Sequence, residues 1–93
     1  MIKNFQDADT QLLWKTGGSR RIPANLQLAA LKKFSILHWA ATLSDLAIPP
    51  GNRLEALRCS RKGQHSIRIN DQFRLCFQWR DGHAHNVEIV DYN

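Results

Sequence analysis

No stretch of this 93-residue chain holds the roughly 20 consecutive apolar residues that a membrane-spanning helix needs. The opening MIKNFQDAD has no apolar run of the signal-peptide kind. Cysteine is scarce: Cys59 and Cys76 stand far apart, in no C-x-x-C arrangement. Nothing here asks for an oxidising compartment, so reduced thiols in the cytoplasm are expected. Neither cysteine has a histidine partner in sequence to lower its pKa, which argues against a nucleophilic thiol. There is no G-x-G-x-x-G, no P-loop and no G-x-S-x-G, so the common nucleotide-binding and serine-hydrolase frames are missing. Repeats and low-complexity tracts are absent as well.

Acid is the other shortage. Eight Asp/Glu face 13 Lys/Arg, for a net charge of +5 with neutral histidine. The excess is local. Residues 53–80 carry Arg53, Arg58, Arg61, Lys62, Arg68, Arg74 and Arg80 against Glu55 and Asp71. All but one of these cations are arginine, whose planar fork pairs with a phosphate bidentately. A polyanion surface and a solvated face of a basic protein both fit this charge pattern.

A chain of this length suits one small domain, residues 1–93, with a single modest core. MIKNF is expected as a short first strand. DADTQLLWKTGG reads as a short helix, capped by an aspartate and stopped by Gly17 or Gly18. SRRI is a basic connector. Pro23 suits the first turn of a second helix, which runs from Ala24 to about Ser44. Leu26, Ala30, Phe34, Leu37 and Ala41 share one face of it at helical spacing. IPPGN ends it. RLEAL, HSIRI, FRLCFQW and AHNVEIVDY then read as strands, with turns at NDQ and RDGH. In FRLCFQW, Phe73, Leu75, Phe77 and Trp79 point one way, and Arg74, Cys76 and Gln78 the other. The expected fold class is α+β: a short N-terminal strand, then two helices packed on one face of a small antiparallel sheet.

The chemistry-bearing residues are few. His83 and His85 have H-x-H spacing, but no third ligand is evident and a metal site is not expected. His38 lies beside Trp39 on a helix and reads as a packing residue. His65 sits at a strand mouth inside the basic segment, where a phosphate contact and plain exposure are both open. Trp14, Trp39 and Trp79 occupy core-type positions. The basic strands and the closing Asp91-Tyr92-Asn93 remain. Arginines with a carboxylate and a phenol can support metal-free RNA cleavage, in which the 2′-OH attacks the adjacent phosphorus and guanidiniums stabilise the developing charge.

PPGNRLEALRCSRKGQHSIRINDQFRLCFQW followed by VEIVDY resembles the HigB branch of the RelE/ParE toxin superfamily. The resemblance implies a RelE-like fold and a ribosome-dependent mRNA endoribonuclease that needs no cofactor. It implies a HigA-like helix-turn-helix antitoxin, the ribosome and mRNA as partners, operator DNA reached only through the antitoxin complex, and no membrane. It places Arg58, Arg74, Asp91 and Tyr92 as catalytic candidates. Arg53, Arg61, Lys62, Arg68 and His65 become candidates for binding RNA. Two features depart from the family pattern. Asn93 stands where a histidine is usual, and Leu57-Arg58-Cys59-Ser60-Arg61 replaces L-K-G-D-R, so a glycine that tolerates positive φ becomes Cys59. A weak nuclease is the expectation. A non-cleaving gyrase inhibitor of the ParE kind and a weakened toxin acting mainly as antitoxin partner or co-repressor are the alternatives.

Overall fold

The computed structural model describes residues 1–18 and 22–91. Helix α1 spans Ala8–Thr16 and α2 spans Ala24–Trp39. They precede β1 (Glu55–Ala56), β2 (Gln64–Arg68), β3 (Phe73–Arg80) and β4 (His83–Asp91), with short 3-10 turns at Leu43–Ala47, Pro50–Asn52 and Cys59–Arg61. The strands follow one another as an antiparallel sheet in the order β1-β2-β3-β4. The N-terminal segment adds to the free edge of β4, but in parallel: Ile2 bridges Ala84 and Phe5 bridges Val87. The connector SRRI lies largely outside the described residues.

The helix boundaries follow from local chemistry. Asp7 caps α1 by accepting the Thr10 N–H at 2.7 Å and the Thr10 hydroxyl at 2.9 Å. Gly17 ends it at φ 81°, donating its N–H to the Leu13 carbonyl. Pro23 is the N-cap of α2 rather than part of its first turn, and its carbonyl accepts from the N–H groups of Leu26 and Gln27. The sequence pattern carries α2 to about Ser44, yet the helix stops at Trp39 and Ala40 is extended. The reason is a competing start signal. Thr42 and Asp45 form a capping box on the next turn, and the Asp45 carboxylate also accepts the Ala41 N–H. These backbone donors, Thr42 first, hold the Asp45 carboxyl below its usual range.

Leu26, Ala30, Phe34 and Leu37 are buried as their spacing requires, whereas Ala41, beyond the helix end, is exposed. They meet Ile67, Leu75, Phe77 and Val87 from the sheet. Fully burying side chains of this size stabilises by about 1.5–3 kcal/mol each. Phe34 sits at the centre, edge-on to Phe5 at 6.3 Å and to Trp14 at 5.8 Å. Trp39 departs from the expected core role: it is 78% exposed, because it falls two residues past the buried Leu37 and so lies off the stripe that faces the sheet.

Pairing on β4 does not follow simple alternation. Cys76 faces Glu88, but Gln78 faces His85, so β4 carries an extra residue there. Asn86 takes up the bulge at φ 53°, a conformation asparagine tolerates better than most residues. Its side chain donates to Gln78 Oε1 at 2.9 Å. The bulge lets Ala84 and Val87, three residues apart, both face the core. The β3–β4 turn is Asp81-Gly82 with φ of 53° and 78°, the two positive values of a type I′ turn.

Two expectations follow. Asn52 is fully buried, donating to the Leu46 carbonyl at 3.2 Å and accepting from Lys33 Nζ at 2.5 Å. Asn52→Ala should cost about 1–3 kcal/mol in urea unfolding by leaving buried polar groups unpaired. His38 Nδ1 accepts the Ile2 N–H at 3.2 Å, which requires an unprotonated nitrogen, and burial followed by the nearby N-terminal amine lowers its pKa. The unfolded chain therefore binds the proton more readily than the folded one. This contribution to stability is complete above about pH 6.5 and is lost as the pH falls through the lower folded value. His38→Gln should flatten that part of a stability–pH curve.

Candidate nucleic-acid interface

Directly paired residues of antiparallel strands share a face. The helix side is defined by the rung Ile67–Leu75–Ile89. The opposite, open face is then built from the rungs Arg68–Arg74–Val90, Glu55–Ser66–Cys76–Glu88 and Gln64–Gln78–His85. Two arginines thus stand directly opposite each other on β2 and β3, an arrangement that costs roughly 0.2–1 kcal/mol when uncompensated.

Local partners offset that cost. Arg74 Nε donates to the Ser66 hydroxyl at 2.7 Å, and its Nη2 donates to the Arg53 carbonyl at 2.5 Å. Glu55 lies 3.6 Å from Nη1. The Arg74 side chain is only 12% exposed, so its guanidinium is held in one place. Arg53 presents its carbonyl from a left-handed conformation at φ 45°. Arg68 pairs with Asp71, whose side chain is 98% exposed and easily displaced. The turn between β2 and β3 is closed by Asn70, which accepts the N–H groups of Gln72 and Phe73. Together Arg53, Arg68, Asn70, Asp71, Gln72 and Arg74 line a cleft of about 230 Å³. It carries three guanidiniums against one loosely held carboxylate.

The structure gathers some of the candidates anticipated from sequence and separates others. Arg53, Arg68 and Arg74 meet at the cleft. Arg61 lies over the open face, donating to Glu88 at 3.0 Å and Gln64 at 3.2 Å. Arg58 and Lys62 are exposed on the loop beside it. His65 is on the other side of the sheet: it pairs with Phe77 and stacks on that ring at 6.3 Å. Asp91 pairs with Phe73, one rung from Arg74 but on the helix face, and accepts from Gln72 Nε2 at 2.9 Å. Tyr92 and Asn93 lie outside the described residues.

Residues that sequence reasoning passed over also belong here. Glu88 is the β4 carboxylate facing the same way as Arg74, and the alternation of VEIVD already carried that signal. Gln72 and Asn70 gave none beyond a turn. Lys33 reaches from α2 to Asn52 in the turn at Pro50–Asn52, with its pKa lowered by burial and then by Arg68. Both cysteines are free thiols, Cys59 exposed and Cys76 buried. Among the described residues no group of three or more His, Cys, Asp or Glu could hold a metal ion, and no helix is long and apolar enough to cross a membrane.

Residues 3–93 match the family model of the RelE-like toxin of the type II toxin–antitoxin system HigB. The chain belongs to this family. Over 70 residues it is 52% identical to Toxin HigB-1 of Vibrio cholerae serotype O1, covering 75% of this chain and 74% of that one. An uncharacterised protein of Haemophilus influenzae is 28% identical over 88 residues, covering 94% and 87% of the two chains. The crystal structure of YafQ from E. coli strain BL21(DE3) superposes with a TM-score of 0.59 at 18% identity, covering 99% of this chain and 94% of that one. That likeness establishes a shared fold. Membership in a HigB-like family makes this protein the toxin of a type II module and implies an antitoxin partner.

The basic loop of the toxin carries the departure at Cys59. Its φ is 57°, in the left-handed region that favours glycine. An L side chain there costs roughly 1–2 kcal/mol. Cys59→Gly should raise stability by up to about 1 kcal/mol, since glycine's extra unfolded-state entropy takes back part of the gain. Cys59→Val should lower it, because a β-branched residue is least tolerated at positive φ. Chemical denaturation of the pair checks both signs.

Proposed function

We propose that this toxin is a ribosome-dependent endoribonuclease that cuts mRNA in the decoding site by metal-free attack of the 2′-OH on the adjacent phosphorus. The observation that carries this reading is the cross-strand pair Arg68–Arg74 at the cleft. Two like charges set rung to rung need local partners in the free protein and gain further when an anion lies between them. A phosphodiester supplies that anion.

In the reaction, the P–O bond to the 2′ oxygen forms as the bond to the 5′ oxygen breaks. The products are a 2′,3′-cyclic phosphate and a 5′-hydroxyl end. Arg74, fixed by Ser66 and Arg53, faces the charge that builds on the phosphoryl oxygens, and Arg68 meets it from β2. Asp91 acts through Gln72, which lines the cleft, and so positions rather than touches the substrate. Tyr92, next along the chain, is assigned to proton transfer on the strength of the family resemblance. The strained Cys59 loop and Asn93 in place of histidine keep turnover low. Ribosome and mRNA bind through phosphates, with Arg53, Arg58, Arg61 and Lys62 around the cleft. A HigA-like antitoxin is the neutralising partner, and the toxin acts in the cytoplasm.

Primer extension on a message translated in vitro tests this. Arg74→Ala should lower cleavage by about 100-fold or more. Arg74→Lys should not restore it, because an ammonium cannot reproduce the fork. Cleavage by Arg74→Ala at the parent's rate sinks the mechanism. Intact message together with stalled gyrase in a supercoiling assay would favour the non-cleaving inhibitor instead.

A further inference from the structure

We propose that Arg61 and Gln64 form a second phosphate subsite on the open face, filled in the free toxin by the carboxylate of Glu88. This deepens the ribonuclease reading and rests on it. Arg61 sits in the 3-10 turn before β2, and Glu88 is on β4, with β3 between those strands. The Arg61 side chain therefore crosses β3 to reach its partner, donating from Nη1 to Glu88 Oε1 at 3.0 Å and to Gln64 Oε1 at 3.2 Å. The Glu88 carboxylate helps to hold it there.

The holding group resembles the ligand. A carboxylate offers a guanidinium the same pair of negatively charged oxygens that a phosphodiester does. The Arg61–Glu88 pair is about a third exposed, at 35% and 27% of the two side chains. Water screens it, so it shifts equilibria by a few-fold at most and exchanges readily. Its place on the sheet matters too. Val90 pairs with Arg74, and Glu88 lies two residues before it on the same face. The Arg74 guanidinium reaches the other way, to Ser66 on β2, and Ser66 shares its rung with Glu88 across β3. The two anchoring groups are thus roughly 10 Å apart across the sheet, two strand spacings. The substrate backbone then crosses the strands, with one phosphate at Arg74 and a later one at Arg61. Glu88 gives up Arg61 to that second phosphate and remains beside it as a like charge. It acts as a brake on binding.

Filter binding to ribosomes programmed with a message 2′-O-methylated at the decoding-site codon tests the idea without cleavage. Across 50–200 mM salt, Glu88→Gln should bind about two- to five-fold tighter than the parent. The slope of log affinity against log salt should steepen by about 0.7, since the subsite meets the RNA with one more net positive charge once the carboxylate is gone. Glu88→Ala should do the same. In an Arg61→Ala background neither change should gain anything. If the parent binds with a salt-dependent affinity but Glu88→Gln and Glu88→Ala bind no tighter, the subsite is wrong while the ribonuclease reading stands. A gain that persists without Arg61 also overturns it, since Glu88 would then act only as bulk negative charge. A parent that does not bind programmed ribosomes removes both.

Discussion

Arg68 and Arg74 face each other across β2 and β3 at a separation set by the ladder. Everything proposed for this protein depends on that rung holding. The hydroxyl of Ser66, fully buried, gives Arg74 Nε a neutral partner. The carbonyl of Arg53 turns toward Arg74 because Arg53 adopts a left-handed conformation. Glu55 supplies charge from the edge strand. None of these contacts could survive a slip of the strands by one residue, which would swing Arg74 into the core and Leu75 into water. What prevents the slip is on the other face. Ile67 and Leu75 are wholly buried one rung away beneath the helices, with Phe34 at the centre of that core. The apolar side of the sheet fixes the register, and the register places the guanidiniums.

The β4 bulge distributes charge between the faces. Without the extra residue at Asn86, a period of two that buried Val87 and Ile89 would leave Ala84 facing out. With it, both ends of β4 pack on the helices. The parallel N-terminal segment covers the outer edge of β4 over the same stretch, and the Asn86 N–H donates to Asn4 Oδ1 at 2.5 Å. The same geometry puts Glu88 on the arginine face and Asp91 on the other. The carboxylate nearest the end of the chain is therefore not the one that shares a surface with Arg74.

As a type II toxin, the protein implies an antitoxin partner. Its open face is cationic at both the cleft and the Arg61 loop, and the carboxylates there, Asp71, Glu55 and Glu88, are already engaged by arginine. That balance keeps a strongly basic surface compatible with a folded free chain. Cys59 works in the opposite direction, holding its loop in a conformation that glycine would adopt at lower cost.

Some of this was written in local chemistry. Asp7 and Gly17 bound α1, the spacing of Leu26, Ala30, Phe34 and Leu37 marks the buried stripe of α2, Asp81-Gly82 makes the hairpin turn, and strict alternation puts Arg74 opposite the core. Each depends on residues within about a turn of one another, where capping, periodicity and turn preference act. The parallel docking of Ile2 and Phe5 and the stacking of His65 on Phe77 were not legible, since they depend on which strand lies beside which. The early end of α2 follows from a local signal, the Thr42–Asp45 capping box, that the apolar spacing masked. Sequence alone therefore determined that this chain has an arginine-bearing sheet face. Only the tertiary structure decided which arginines meet, because cross-strand register is set by core packing between residues distant in the chain.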